Sequence, residues 1–197
     1  MHEFPRFPAP LAADELALVR DNPFALLVSS GPPPVATHTP MLLTDPGLGG
    51  GLVGTTLLGH LARANPQWRA LGDEVLTVFS GPHGYVSPTA YATTPAVPTW
   101  NYAAVHLTGP IVLITDAEET LAIVERTVAV AEAGRDPMWD MTASRDRFRR
   151  SCPVSSRSGS WCARRTGRSR SARTSPRTSA NGSGRTWSST APTSSPG

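Results

Sequence analysis

The chain has 197 residues, with 18 basic and 15 acidic groups, two cysteines and 39% hydrophobic content. That is one domain of ordinary size, or one domain and a tail. No apolar run approaches membrane-spanning length, the five histidines and two cysteines lack metal-site spacing, and the start MHEFPRFPAP carries no secretory pattern. These observations argue against a helical membrane protein and a metalloenzyme, and the expected location is cytoplasmic.

Composition and charge divide the chain at one place. Residues 1–150 hold almost every Val, Ile, Leu and Phe, all 15 acidic groups and ten arginines, a net −5. Residues 151–197 hold eight arginines, no acid and, of those four apolar types, only Val154, a net +8. All basic residues are Arg, and with abundant Ala, Gly and Pro this indicates a GC-rich gene. The expected domains are therefore 1–150, folded, and 151–197, a disordered Arg/Ser-rich tail.

Residues 1–12 read as extended and Pro-rich. Asp14 to Arg20 predicts a short helix with Leu16 and Val19 on one face, stopped by Asn22-Pro23. Phe24 to Ser30 predicts a central buried strand, and Val35 to Thr44 its partner, with Thr37, Thr39 and Met41 alternating against Ala36, His38 and Leu42. Pro40 inside that strand argues for an edge or a bulge. Asp45 to Gly51 is a Gly-rich turn, and Leu52 to Leu58 predicts a third strand. A helical turn follows at Leu61–Asn65, with Pro66 at its end.

Glu74 to Ser80 predicts a fourth strand, and Gly81 to Pro98 a long, ordered loop with Tyr85 and Tyr91. Trp100 to Ile114 predicts a long strand broken at Gly109-Pro110. Asp116 then caps a helix to about Ala133, with Leu121, Val124, Val128 and Ala131 on one face. The sum is a mainly β protein with flanking helices, a small barrel.

The stretch Gly54 to Trp68 organises the candidate site. A strand end passing into a helical turn exposes backbone N–H groups to anions, Arg63 adds a phosphate-binding fork, and His60 a further donor. Arg63 reads equally as a surface charge and His60 as a satisfied strand residue. Thr37 and His38 would face the same cavity if their strand neighbours the third. Trp100, Asn101 and Tyr102 suit a flavin ring, a subunit contact or a loop anchored by its aromatics. No Gly-x-Ser-x-Gly elbow, His-Glu-x-x-His motif, dinucleotide fingerprint or helix-turn-helix pattern is present, and no residue is assigned as catalytic.

Several pieces agree with one family: Asn22-Pro23-Phe24, Ala36-Thr37-His38-Thr39-Pro40, Gly59 to Trp68 (GHLARANPQW), Phe79 to Pro88 (FSGPHGYVSP) and Pro98 to Tyr102 (PTWNY). In this order the chain resembles the PaiB family, FMN-binding negative transcriptional regulators of bacteria, from about Phe4 to Arg150. The resemblance implies a split β-barrel of the pyridoxamine-phosphate-oxidase-like kind, a homodimer and an FMN site between subunits. It implies that Arg63 and His60 hold the phosphate; Asn65, from the same turn, is a cofactor-binding candidate on the residues alone. Thr37 and His38 would border the ribityl chain and ring, and Trp100, Asn101 and Tyr102 would approach the ring or the partner. A flavin-dependent oxidoreductase is the alternative from another class, and a DNA-binding protein using the Arg tail is a third.

The chain departs from the family in two places. Thr89-Ala90-Tyr91 keeps only the Tyr of a Trp-Tyr pair. The family also continues after the helix with an aliphatic strand like Ile-Val-Gly-Phe and a Lys-Leu-Ser-Gln-Asn-like segment, and neither is found here. A nucleic-acid arm is one reading of the Arg-rich tail. We favour a shifted reading frame, because Arg, Ser, Thr, Pro and Ala are what GC-rich DNA yields out of frame. Arg170 to Ser179 is compatible with a shifted Lys-Asn-Lys-Pro-Glu-Asp. Such a chain would hold FMN weakly and be poorly soluble.

Overall fold

A computed structural model describes residues 11–45, 48–91, 94–151 and 154–161. The Pro-rich start, the middle of the Gly-rich turn and residues 162–197 lie outside the described residues, as do the expectations that fall on them.

Helix α1 spans Ala12–Asp21 and buries Leu16 and Val19. Asn22 closes it by donating its side-chain amide to the Leu18 carbonyl (2.9 Å). Strand β1, Phe24–Ser29, lies between β2 (Val35–Asp45) and β4 (Glu74–Val86), so it is central as expected. Ala25, Leu27 and Ser29 are buried in alternation, which is a one-sided rather than an all-apolar strand.

In β2, Thr39 and Met41 are buried. Pro40 sits neither at an edge nor in a bulge. It stands where β2 leaves β1, with Phe24 opposite Pro40, and takes up β3, with Met41 opposite Gly59. A residue without an N–H fits at such a changeover.

Strand β3 is Thr55–Leu61, three residues later than expected. Gly54, at φ 77°, turns the chain into it, and only glycine adopts that backbone freely. Thr55, Leu57, Gly59 and Leu61 are buried, with the half-buried His60 inside the strand. Leu61 still belongs to the strand, and a single hydrogen-bonded turn covers Ala62–Asn65, with the Asn65 N–H on the Ala62 carbonyl (2.9 Å). A 3-10 turn follows at Pro66–Arg69, with Asn65 as its N-cap and Pro66 at its first position. Proline there starts a helix, because the missing N–H is unneeded and φ is already set.

Strand β4 runs past Ser80 to Val86, pairing along its whole length with β5 (Thr99–Pro110). The register slips between Ser80 and His83, so Gly81-Pro82 marks a bulge rather than the start of a loop. Strand β6, Val112–Ile114, follows separately. Helix α2, Ala117–Glu132, is capped by Asp116, whose carboxylate accepts from the Glu118 and Glu119 N–H groups (3.1 and 2.8 Å). It buries Leu121 and Val124, with Val128 packed beside them, while Ala131 is exposed. A further helix, α3 (Arg145–Ser151), packs Phe148 on this cluster and pairs Arg149 with Glu118.

Strand β7, Val154–Trp161, pairs with both β3 and β6. The segment expected to lack structure from residue 151 therefore begins with a strand, and the folded part continues past 150. The strand order is β5-β4-β1-β2-β3-β7-β6, and β5 also lies against β7, which curls the sheet toward closure. Leu27, Leu57, Phe79 and Leu107 fill its interior. This is a split β-barrel with flanking helices.

Candidate flavin-binding site

The turn after β3 is fixed by side chains from three directions. Asn65 uses both ends of its amide: Oδ1 accepts from the Gln67 N–H (2.9 Å) and Nδ2 donates to the Thr37 hydroxyl (3.0 Å). Trp68 donates its indole N–H to the Arg63 carbonyl (3.2 Å) and carries the Arg69 guanidinium over its ring at 4.4 Å. Gln67 is buried, and its Nε2 donates to the carbonyls of Leu27 and Val35 (3.0 Å each). The Arg63 backbone is thus held, while its side chain is exposed and enters none of the ion pairs found among the described residues. A free guanidinium on a rigid turn is suited to an anion with parallel oxygens.

The structure therefore joins Thr37, Asn65 and the Arg63 turn. Thr37 and His38 are successive strand residues and project to opposite faces of the sheet. Thr37 lies opposite the buried Leu27, whereas His38 is exposed and stacks on Phe24 with centroids 5.5 Å apart. The two do not border one cavity. His60 has its Nδ1 buried and without a hydrogen-bond partner. Burial lowers its pKa below 6.5, so near neutral pH it offers a neutral imidazole rather than a second cation.

Trp100, Asn101 and Tyr102 stand at the start of β5, paired with Tyr85, Gly84 and His83 of β4. Trp100 stacks on His83 (5.9 Å) and tilts against Tyr85 (6.2 Å), and both Trp100 and Tyr85 are exposed. His83 and Tyr85 had no assigned role while the segment read as a loop. Their spacing of two was the available signal, although the bulge between Ser80 and His83 breaks the alternation that runs up to Phe79.

This aromatic arm does not meet the Arg63 turn within one protomer. Asn65 bonds Thr37, Thr37 pairs with Leu27, and Leu27 with Thr77. Tyr85, the partner of Trp100, lies eight residues further along β4, roughly 25 Å at the rise of a strand. That separation along β4 argues against one mononucleotide touching both Arg63 and Trp100 of the same chain.

The family described as "Putative FMN-binding domain" matches residues 1–153. The chain belongs to this family. Its cofactor is FMN, and the unpaired Arg63 guanidinium, with the Thr37 hydroxyl tied to the same turn through Asn65, fits that cofactor's phosphate; the His60 ring projects to the other face of the sheet, since Gly59 stands opposite Met41 on the face of Thr37. The Bacillus subtilis protease synthase and sporulation protein PAI 2 is 35% identical over 130 residues, covering 62% of this chain and 58% of that protein. An uncharacterized protein of Emericella nidulans is 35% identical over 142 residues, covering 56% of this chain and 57% of that one. The chain thus spans under three fifths of the length of these relatives. The flavocytochrome Anf3 of Azotobacter vinelandii shares the fold, with a TM-score of 0.52, 18% identity, and coverage of 78% of this chain and 67% of that one. No helix among the described residues is long and apolar enough to cross a membrane.

Proposed function

We propose that the chain is an FMN-binding negative transcriptional regulator of the PaiB type, working as a homodimer. Each flavin lies between the Arg63 turn of one copy and the aromatic arm of the other. The observation that carries this reading is the separation of the two: each has the chemistry for one end of FMN, and a second copy is the direct way to bring them together. Arg63 grips the phosphate, and Thr37 and Asn65 set the turn beside it. Trp100, with Asn101 and Tyr102, faces the ring across the interface. Bound FMN would supply hydride chemistry, and in the reading proposed here it serves as a ligand. The name of the Bacillus relative supports a regulatory role in protease and sporulation genes.

The test is the flavin spectrum and size of the purified protein, with and without Arg63→Ala. A dimer that carries flavin, and loses it in the variant with its fold intact, is expected. Repression of a reporter by the intact protein supports regulation. Rapid turnover with reduced nicotinamide and no repression would instead establish the oxidoreductase.

A further inference from the structure

Strand β7 occupies a demanding place. It fills the position between β3 and β6, with α2 and β5 also against it. Residues 154, 156 and 158 stand opposite Leu61, Gly59 and Leu57, all buried. Residue 155 stands opposite Ile114, which is buried too. A strand covered on both faces reads as a nearly continuous apolar run. The chain instead has Val154-Ser155-Ser156-Arg157-Ser158-Gly159-Ser160-Trp161 there, a polar run that breaks this pattern. The match to the family stops at residue 153, immediately before this strand.

We infer that the natural protein carries an aliphatic β7 read from the neighbouring frame, and that the sequence as it stands lacks one nucleotide near the codon of Ser151. The genetic code supplies the test within the sequence. Let each codon contribute its last base, followed by the first two bases of the next. The Trp161–Cys162 junction is then UGG-UGY, which reads Val whatever the third base of Cys. The Ser160–Trp161 junction reads Leu, Met or Val for every Ser codon. A Ser of the UCN box contributes UC to the junction before it, and any base ahead of UC gives Phe, Leu, Ile or Val. That applies to Ser155, Ser156, Ser158 and Ser160.

With UCN serines the shifted reading places apolar residues at 156, 158 and 161, opposite Gly59, Leu57 and Thr55, and at 155, opposite His60 and Ile114. Further on, the junctions from Ser169 to Pro176 admit Lys-Ile-Ser-Gln-Asn-Lys-Pro. On this inference the +8 of residues 151–197 belongs to no nucleic-acid arm. Without that tail the domain is acidic.

The inference does not rest on the flavin reading, and its first readout is mass. We expect the resequenced gene to contain the extra nucleotide, and the protein purified from its own cells to differ from 20.9 kDa and yield no peptides from 162–197. A confirmed frame through Gly197, with that mass, overturns the inference. The second readout compares the chain as it stands with one recoded by a single inserted nucleotide. The recoded chain is expected to be soluble and to melt at higher temperature, with at least tenfold more folded protein recovered. Equal yield and equal melting temperature would show that β7 needs no apolar residues, and would overturn the physical argument.

Discussion

The Arg63 turn and the β4–β5 arm are both rich in groups that could hold a ligand, yet they are finished to different degrees. The turn is closed within one chain: Asn65, Gln67 and Trp68 spend their hydrogen bonds on it, and the barrel core lies behind it. The arm is held by its own strand ladder and ends in exposed Trp100 and Tyr85. Exposed aromatics at the end of a strand pair are costly in water and favourable at an interface. The difference teaches that stability and binding are separately located, so substitutions should divide into two classes.

The largest effect belongs to the core that supports the turn. Phe79 is fully buried, and Phe79→Ala should cost about 3–5 kcal/mol, read as a fall in the denaturant midpoint. Next, Asn65→Ala removes a cap and the tie to Thr37, and should cost about 1 kcal/mol while also weakening FMN affinity. A flavin titration in which Asn65→Ala binds as tightly as the wild type would break the link between the stapled turn and Arg63.

A smaller effect is expected from pH. Burial lowers the pKa values of both His60 and His106 below 6.5. The unfolded chain then binds more protons in the window below 6.5, so stability is complete above that pH and declines as pH falls through it. Denaturation midpoints between about pH 8 and pH 5 should follow this slope, and His60→Gln should flatten it. The smallest stability change belongs to the arm. Trp100→Ala should alter stability by less than about 0.5 kcal/mol while removing FMN and leaving the dimer assembled. A large loss of melting temperature in that variant would mean that the arm is part of the core.

Much of this was legible in the residues, for identifiable reasons. Helices α1 and α2 were visible because Leu16 and Val19, and Leu121 and Val124, recur at helical spacing next to a stop and a cap. Strands β1 and β2 were visible from alternation. Strand β3 was placed three residues early because Gly54 was counted into it, although its positive φ makes it the turn. Pro66 was taken as a stop when it is a start. The arm was hidden by Gly81-Pro82, which reads as a loop and builds a bulge. Of the site, the structure ties Asn65 to Thr37 and holds the turn that carries Arg63, residues that the sequence places on neighbouring elements. The opposite faces of Thr37 and His38 follow from strand alternation, but the distance to Trp100 needed the register. Strand β7 was illegible because its local residues favour no buried strand.

The central claim is a flavin site shared between two copies, and complementation tests it most directly. Arg63→Ala and Trp100→Ala homodimers are prepared separately, shown to be folded, then mixed, dissociated and reassociated with FMN. Each variant alone should hold no flavin. The equal mixture should recover about a quarter of the wild-type flavin per chain, because half of the dimers are mixed and each has one intact site. No recovery on mixing, or full flavin in Trp100→Ala alone, would contradict the shared site.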